Sequence, residues 1–168
     1  KWDILKNVYN LAKCIKRYRI SLIHAHHALT DGVLVCLSTL FVDTKYVITS
    51  HGIDFAHNKT LGYGERLSWV KNLVINLVSR KASMITTVSS DMCDFVYELV
   101  PKNKVRKIEN CYANNSELFD ELLIEQTVEQ IKSKYNINID DTVYLTLSGA
   151  RKIKGHVNML IAFSHSVK

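Results

Sequence analysis

The run KYVITSHGID, residues 45–54, decides the fold. Tyr46, Val47, Ile48 and Thr49 are aromatic or branched at Cβ, side chains that suit a pleated, half-buried surface. A buried strand is therefore predicted over 45–50, ending at His51-Gly52, where the glycine marks a turn. Outward from this run the pattern alternates. Residues 20–26 read as a short strand, followed by Asp31-Gly32 and a helix over about 31–41. Leu5, Val8, Tyr9, Ala12 and Ile15 recur at helical spacing with Lys6, Lys13, Lys16 and Arg17 on other faces, which predicts an amphipathic helix over 2–18. On the other side, Leu67, Val70, Leu73, Val74, Leu77 and Val78 predict a helix over 65–81 that turns these residues one way. A strand over 84–88, an N-cap at Ser89-Ser90-Asp91, a helix over 92–99 and a strand over 105–109 follow.

Strands alternating with helices imply an α/β fold, a parallel sheet with helices on both faces. Such sheets bind ligands outside the carboxyl ends of their strands. The polar groups that fall just after strands are His24, His26 and Asp31, then His51 and Asp54, then Ser89, so all three clusters are expected on one rim. After Asn114 the texture changes: a charged helix over 118–135, a strand over 142–147, Ser148-Gly149, a basic loop, Gly155, and a helix from about 156. This reads as the first strand–loop–helix unit of a second domain, with a boundary near residue 115 that gives segments 1–115 and 116–168.

Composition narrows the classes. With 47% apolar and 23% charged residues the chain can bury a core, and one proline and six glycines exclude a low-complexity linker. The net charge of +6 favours anionic partners without choosing among them; basic residues interleaved with aromatics in a nucleic-acid motif are not found, and no nucleic-acid partner is expected. Cys14, Cys36, Cys93 and Cys111 form no CxxC pair and read as reduced thiols of a cytoplasmic protein. The longest apolar stretch, 32–42, is shorter than the ~20 residues a membrane span needs, and no signal-peptide layout opens the chain. The start at Lys1, inside a helical pattern and without an initiator Met, reads as a piece of a longer polypeptide.

Three motifs carry chemistry. His24 and His26 share one face of a strand and could chelate a metal ion. HAHHALTD superficially resembles the metallo-β-lactamase signature, but Ala28 and Leu29 stand where that signature needs Asp and His. The histidines are read as hydrogen-bonding groups, with a metal-dependent hydrolase using His24, His26 and His51 kept as an alternative. His51-Gly52-Ile53-Asp54 either ends a strand with incidental polar residues or places an imidazole over a ligand, Gly52 allowing close backbone approach. Residues 149–155, GARKIKG, put backbone amides and cations at the start of a helix, which suits a diphosphate; the bland reading is a solvated basic loop. It is neither a Walker A loop nor a GxGxxG fingerprint.

LIHAHHALTDGVL (22–34), YVITSHGIDF (46–55), ASMITTVSSDM (82–92), VRKIENCYANNSELF (105–119) and VYLTLSGARKIKGHVNMLIAF (143–163), in this order and spacing, resemble the family-4 glycosyltransferases. No single motif is decisive; the ordered set is specific. The resemblance implies a retaining enzyme of two Rossmann-like domains (GT-B), using a nucleotide-sugar donor and a glycan or lipid-linked acceptor in surface polysaccharide or glycolipid biosynthesis. Segment 1–115 would then be part of the N-terminal, acceptor-side domain, and 116–168 a linker helix and the start of the nucleotide-sugar-binding domain. It places His51 and Gly52 close to the donor sugar with His51 catalytic, and His26, Asp31, Asp54 and Ser89 on the acceptor side of the cleft. Lys154, with Gly149 and candidate Arg151, would bind the donor diphosphate, where a fixed cation offsets the charge of the leaving group. No metal or other cofactor is expected, and the enzyme would be cytoplasmic or peripheral at the inner face of the cytoplasmic membrane. Three departures stand out: Ala150 separates the loop glycine from Arg151, Cys111 replaces a glycine after Asn110, and Ala113 replaces an aspartate. The family also has a first strand and glycine-rich loop before, and a paired-glutamate motif after, the segment present, so the 168 residues alone are expected to be inactive. A non-catalytic Rossmann-like module docking its basic helices on an anionic membrane or partner is the remaining alternative.

Overall fold

The computed structural model describes residues 4–111 and 121–166. The chain divides into two compact units, Lys1–Asn110 and Cys111–Lys168. The boundary expected near 115, the Ala113 departure and the start of the helix expected over 118–135 lie outside the described residues.

The first unit runs α1 (Ile4–Tyr18), β1 (Leu22–His26), a π-helical turn (His27–Gly32), α2 (Val33–Ser38), β2 (Lys45–Ser50), a 3₁₀ turn (Glu65–Leu67), α3 (Trp69–Lys81), β3 (Met84–Thr87), α4 (Ser90–Tyr97), a second 3₁₀ turn (Lys102–Lys104) and β4 (Val105–Lys107). The four strands form one parallel sheet in the order β1-β2-β3-β4. This is the α/β, Rossmann-like sheet with flanking helices that the alternation predicts. Register aligns Ala25, Ile48, Ile85 and Val105 across the sheet, and all four are buried in one core with Phe55, Ile75, Val78 and Val96.

Helices on both faces were expected, and here the structure differs. Tyr46 donates its hydroxyl to the Val78 carbonyl (2.7 Å), and Thr87 hydrogen-bonds the Cys93 thiol (3.0 Å), so α3 and α4 lie on the face that carries Tyr46, Ile48, Ile85 and Thr87. α1 joins this layer through α2, where the Ser38 hydroxyl reaches the Val8 carbonyl at 3.4 Å. Each strand pairs with its successor, so right-handed crossovers set the connecting helices on one side. The other face of this unit presents His24, His26, Val47, Thr49, Met84, Thr86 and Arg106.

The apolar stripe of α3 is also corrected. Its buried residues are Ile75, Val78 and Ser79, while Val70, Leu73 and Leu77 are exposed. Leu67 belongs to the separate 3₁₀ turn, cut off by the extended Ser68 (φ −83°, ψ 125°). Residues 75, 78, 79 and 82 make a helical stripe as regular as 70, 73, 74 and 77, and periodicity cannot choose between two apolar sides of one helix. In α1, likewise, Val8, Ala12 and Ile15 are buried and Leu5 and Tyr9 exposed. Leu5, Tyr9 and Phe41 line an apolar groove beside α1.

The 18 positions between β2 and α3 form a tied loop. Asn58 and Tyr63 pair through both backbone groups (2.8 and 3.0 Å), and Glu65 N–H reaches the Ile53 carbonyl (2.8 Å). Gly64 adopts φ +118°, and a Cβ there would lie 1.9 Å from the Ala56 carbonyl oxygen. Backbone cannot yield to that overlap as a side-chain tip can. Gly64→Ala is expected to destabilise the unit by at least ~2 kcal/mol, read as a fall in the urea midpoint at unchanged m-value.

The second unit contains α5 (Glu121–Tyr135), a 3₁₀ turn (Lys152–Lys154) and α6 (His156–Ser166). The strand expected over 142–147 is not formed: this stretch joins no ladder among the described residues. A strand needs a partner for its backbone groups, and here the segment's Tyr144 lies edge-on to Phe163 at 5.2 Å. Among the described residues no helix is long and apolar enough to cross a membrane.

Candidate functional site

β1 and β2 are neighbours in register, His26 opposite Thr49. The residues that follow each strand therefore emerge side by side at the carboxyl rim. His26 Nδ1 and His51 Nε2 are 2.9 Å apart, a hydrogen bond that needs a lone pair on one ring, so at least one of the two is neutral. The His24 ring stacks on His26 at 4.6 Å, and His27 lies 4.9 Å from His51. His24 itself is committed to the sheet: its Nε2 is 2.6 Å from the Thr49 hydroxyl, which is 2.6 Å from that of Thr86. Among the described residues no group of three or more His, Cys, Asp or Glu is placed to hold a metal ion.

The chain reaches this geometry through an irregular turn. His27 takes φ +74° and opens a π-helical turn where an ordinary helix was expected from about 31. π-turns are rare and concentrate at functional sites. Asp31 lies in this turn, exposed to solvent.

Asp54 sits beneath the rim rather than on it. It is 2% exposed, and its two oxygens accept the Ala28 N–H (3.0 Å) and the Ser50 hydroxyl (3.1 Å). Ser50 Oγ in turn accepts the Gly52 N–H at 3.3 Å. One carboxylate thus ties the turn after β1 to the turn after β2 and holds His26 and His51 together. Gly52 has φ +114°, and a Cβ there would meet Met92 Sδ and the Tyr63 hydroxyl, each at 3.5 Å. Met92 lies in the first turn of α4, whose N-cap is Ser89, so the third expected cluster reaches the same place. The Ser89 side chain makes no capping bond.

The His51 pKa is lowered from 6.5, first by partial burial, then by the charges that His27 and His26 would carry, against a raising effect of Asp54. Its neutral form is favoured in the fold. Any stability this provides is complete above pH 6.5 and is lost as pH falls through the lower folded value. An NMR titration of the His51 Cε1–H signal is expected to give a midpoint below 6.5. His27→Asn, which removes one neighbouring charge and tolerates positive φ, should move that midpoint upward.

In the second unit, Gly149, Arg151 and Lys154 form one loop, with the Arg151 N–H on the Gly149 carbonyl (2.8 Å) and the Lys154 N–H on that of Arg151 (2.9 Å). Both basic side chains are exposed. His156, missed in the sequence, closes the loop: its Nε2 is 2.9 Å from the Ser148 hydroxyl and 3.2 Å from the Gly149 carbonyl. Tyr63 and Met92 were missed as well, because nothing in their local sequence marks them as neighbours of Gly52.

Comparison with known proteins identifies the family. The family model described as Glycosyltransferase Family 4 matches residues 2–113, which include the whole histidine rim. The chain is also 24% identical over 159 residues to the N-acetyl-alpha-D-glucosaminyl L-malate synthase of Bacillus anthracis, a match covering 94% of this chain and 39% of that relative's length. From the matched sheet and its rim, the chain belongs to glycosyltransferase family 4.

Proposed function

We propose that the protein transfers a sugar from a nucleotide-sugar donor to a glycan or glycolipid acceptor with retention of anomeric configuration. The observation that carries this reading is the bonded His26–His51 pair on the carboxyl rim over Gly52, inside the segment the family model matches. A neutral imidazole there can accept a hydrogen bond from a sugar hydroxyl or take up a proton. His51 is assigned the catalytic role, His26, Asp31 and Ser89 the acceptor side, and Asp54 the positioning of the rim. Gly149, Arg151 and Lys154 are assigned to the donor diphosphate, Lys154 offsetting charge on the leaving group. Segments 1–115 and 116–168 are read as parts of the acceptor-side and donor-side domains of a GT-B enzyme. No metal takes part in this reading. The chain spans 39% of its relative's length, and the 168 residues alone are read as inactive. The protein is placed in the cytoplasm, with α1 and the exposed side of α3 as its contact with the inner membrane face.

The relative's name joins an N-acetylglucosaminyl group to L-malate, which makes that donor sugar and acceptor the first pair to try. The full-length protein is to be incubated with uridine, guanosine and adenosine diphosphate sugars and a panel of acceptors. Nucleoside diphosphate release that needs an acceptor, and a product with the donor's anomeric configuration by NMR, support the reading. An inverted product removes retention, and no turnover across the panel removes the reading.

A further inference from the structure

A tyrosine hydroxyl from the loop between β2 and α3 closes over Gly52. The Tyr63 hydroxyl reaches to within 3.5 Å of where a Gly52 Cβ would lie, and its ring is half-buried. No other described residue hydrogen-bonds that hydroxyl.

The loop around it is built to hold it still. Asn58 and Tyr63 bond each other through both backbone groups, and Glu65 is tied to Ile53, one residue beyond Gly52. Gly64, directly after Tyr63, adopts a conformation and a contact with Ala56 that leave no room for a side chain. Arg66 clamps the far end. Its side chain is only 8% exposed and donates to the carbonyls of Phe55 (3.2 Å) and Phe95 (3.1 Å), to Asn72 (2.8 Å) and to Glu98 (2.9 Å). A loop fixed at both ends, with a hydroxyl held over Gly52, is a prepared hydrogen-bonding wall.

We infer that the Tyr63 hydroxyl is a second ligand-contacting group of the His51 site and recognises one hydroxyl of the bound sugar, an inference that rests on the sugar-transfer reading above. The chemistry favours a hydroxyl over a phosphate. The His26–His51 bond keeps at least one imidazole neutral, and the Asp54 carboxylate lies beneath, a poor setting for an anion. A phenol both donates and accepts, as a sugar hydroxyl does.

The test is Tyr63→Phe in the full-length protein, assayed with the parent sugar and with each monodeoxy analogue of it, beside His51→Ala. Loss of one net hydrogen bond predicts about a threefold to tenfold fall in kcat/KM on the parent sugar, an unchanged melting temperature, and no further fall on the one analogue that lacks the contacted hydroxyl. Wild-type kcat/KM for Tyr63→Phe, or the same loss on every analogue, overturns the Tyr63 inference while an inactive His51→Ala leaves the sugar-transfer reading standing. A fully active His51→Ala removes His51 from the site and overturns the inference while the sugar-transfer reading stands, and no transfer by the parent protein overturns both.

Discussion

Replacing His51 by alanine is expected to lower kcat/KM of the full-length protein in the proposed sugar transfer by about 100-fold or more, the range in which positioned acid–base groups act, while leaving the melting temperature nearly unchanged. The two halves of this expectation come from different facts. The ring is exposed and its hydrogen bond is to His26, also exposed, so its removal strands no buried polar group and opens no core cavity. Its lowered pKa keeps it neutral near pH 7, the state that can accept a proton or a hydrogen bond from a substrate hydroxyl. His51→Gln, which keeps hydrogen-bonding groups but cannot take up a proton, separates the two uses: recovery of kcat by Gln would assign His51 to binding. Retention of wild-type kcat/KM by the alanine variant would remove His51 from the site.

Asp54→Ala should do the reverse and cost stability first. The carboxylate is buried and accepts from two groups, the Ala28 N–H and the Ser50 hydroxyl. Removing it leaves both donors without that acceptor in a site where water does not reach the side chain. At ~1–3 kcal/mol for each stranded group, the loss is about 2–6 kcal/mol. Asp54→Asn keeps one acceptor oxygen and should lose less. The same change loosens the turn that starts at His27 from the turn at Gly52, so activity should fall even where the protein remains folded. Urea unfolding followed by circular dichroism gives the stability, and the His26–His51 contact can be followed through the histidine signals. A loss under ~1 kcal/mol would mean that the two bonds do not hold the rim.

Much of the sheet was legible because its strands are short runs bounded by turn residues. Lys45–Ser50 is a strand with the predicted limits, and the rim followed from one rule about parallel sheets. What escaped detection did so for physical reasons. Ile75 and Leu73 are equally apolar, and only the crossover that lays α3 on Tyr46 and Ile48 decides which is buried. The π-turn at His27 depends on a positive φ and a hydrogen bond from Ala28 to a carboxylate 26 residues away, neither of which has a local signal. The residues at 142–147 have strand composition, yet a ladder needs a partner, and none is formed among the described residues. Tyr63 reaches Gly52 through a loop whose ties are backbone to backbone, so side-chain patterns cannot reveal it. His24, read as a hydrogen-bonding group with metal ligation as the alternative, is the end of a hydrogen-bonded row through Thr49 and Thr86.

The placement of the sugar at this rim is tested most directly by NMR shift mapping of the full-length protein with a nucleotide sugar that it consumes. The account predicts that His26, His51 and Gly52 shift on titration, together with Lys154. Shifts confined to the groove at Leu5, Tyr9 and Phe41, with the histidine rim untouched, would contradict it.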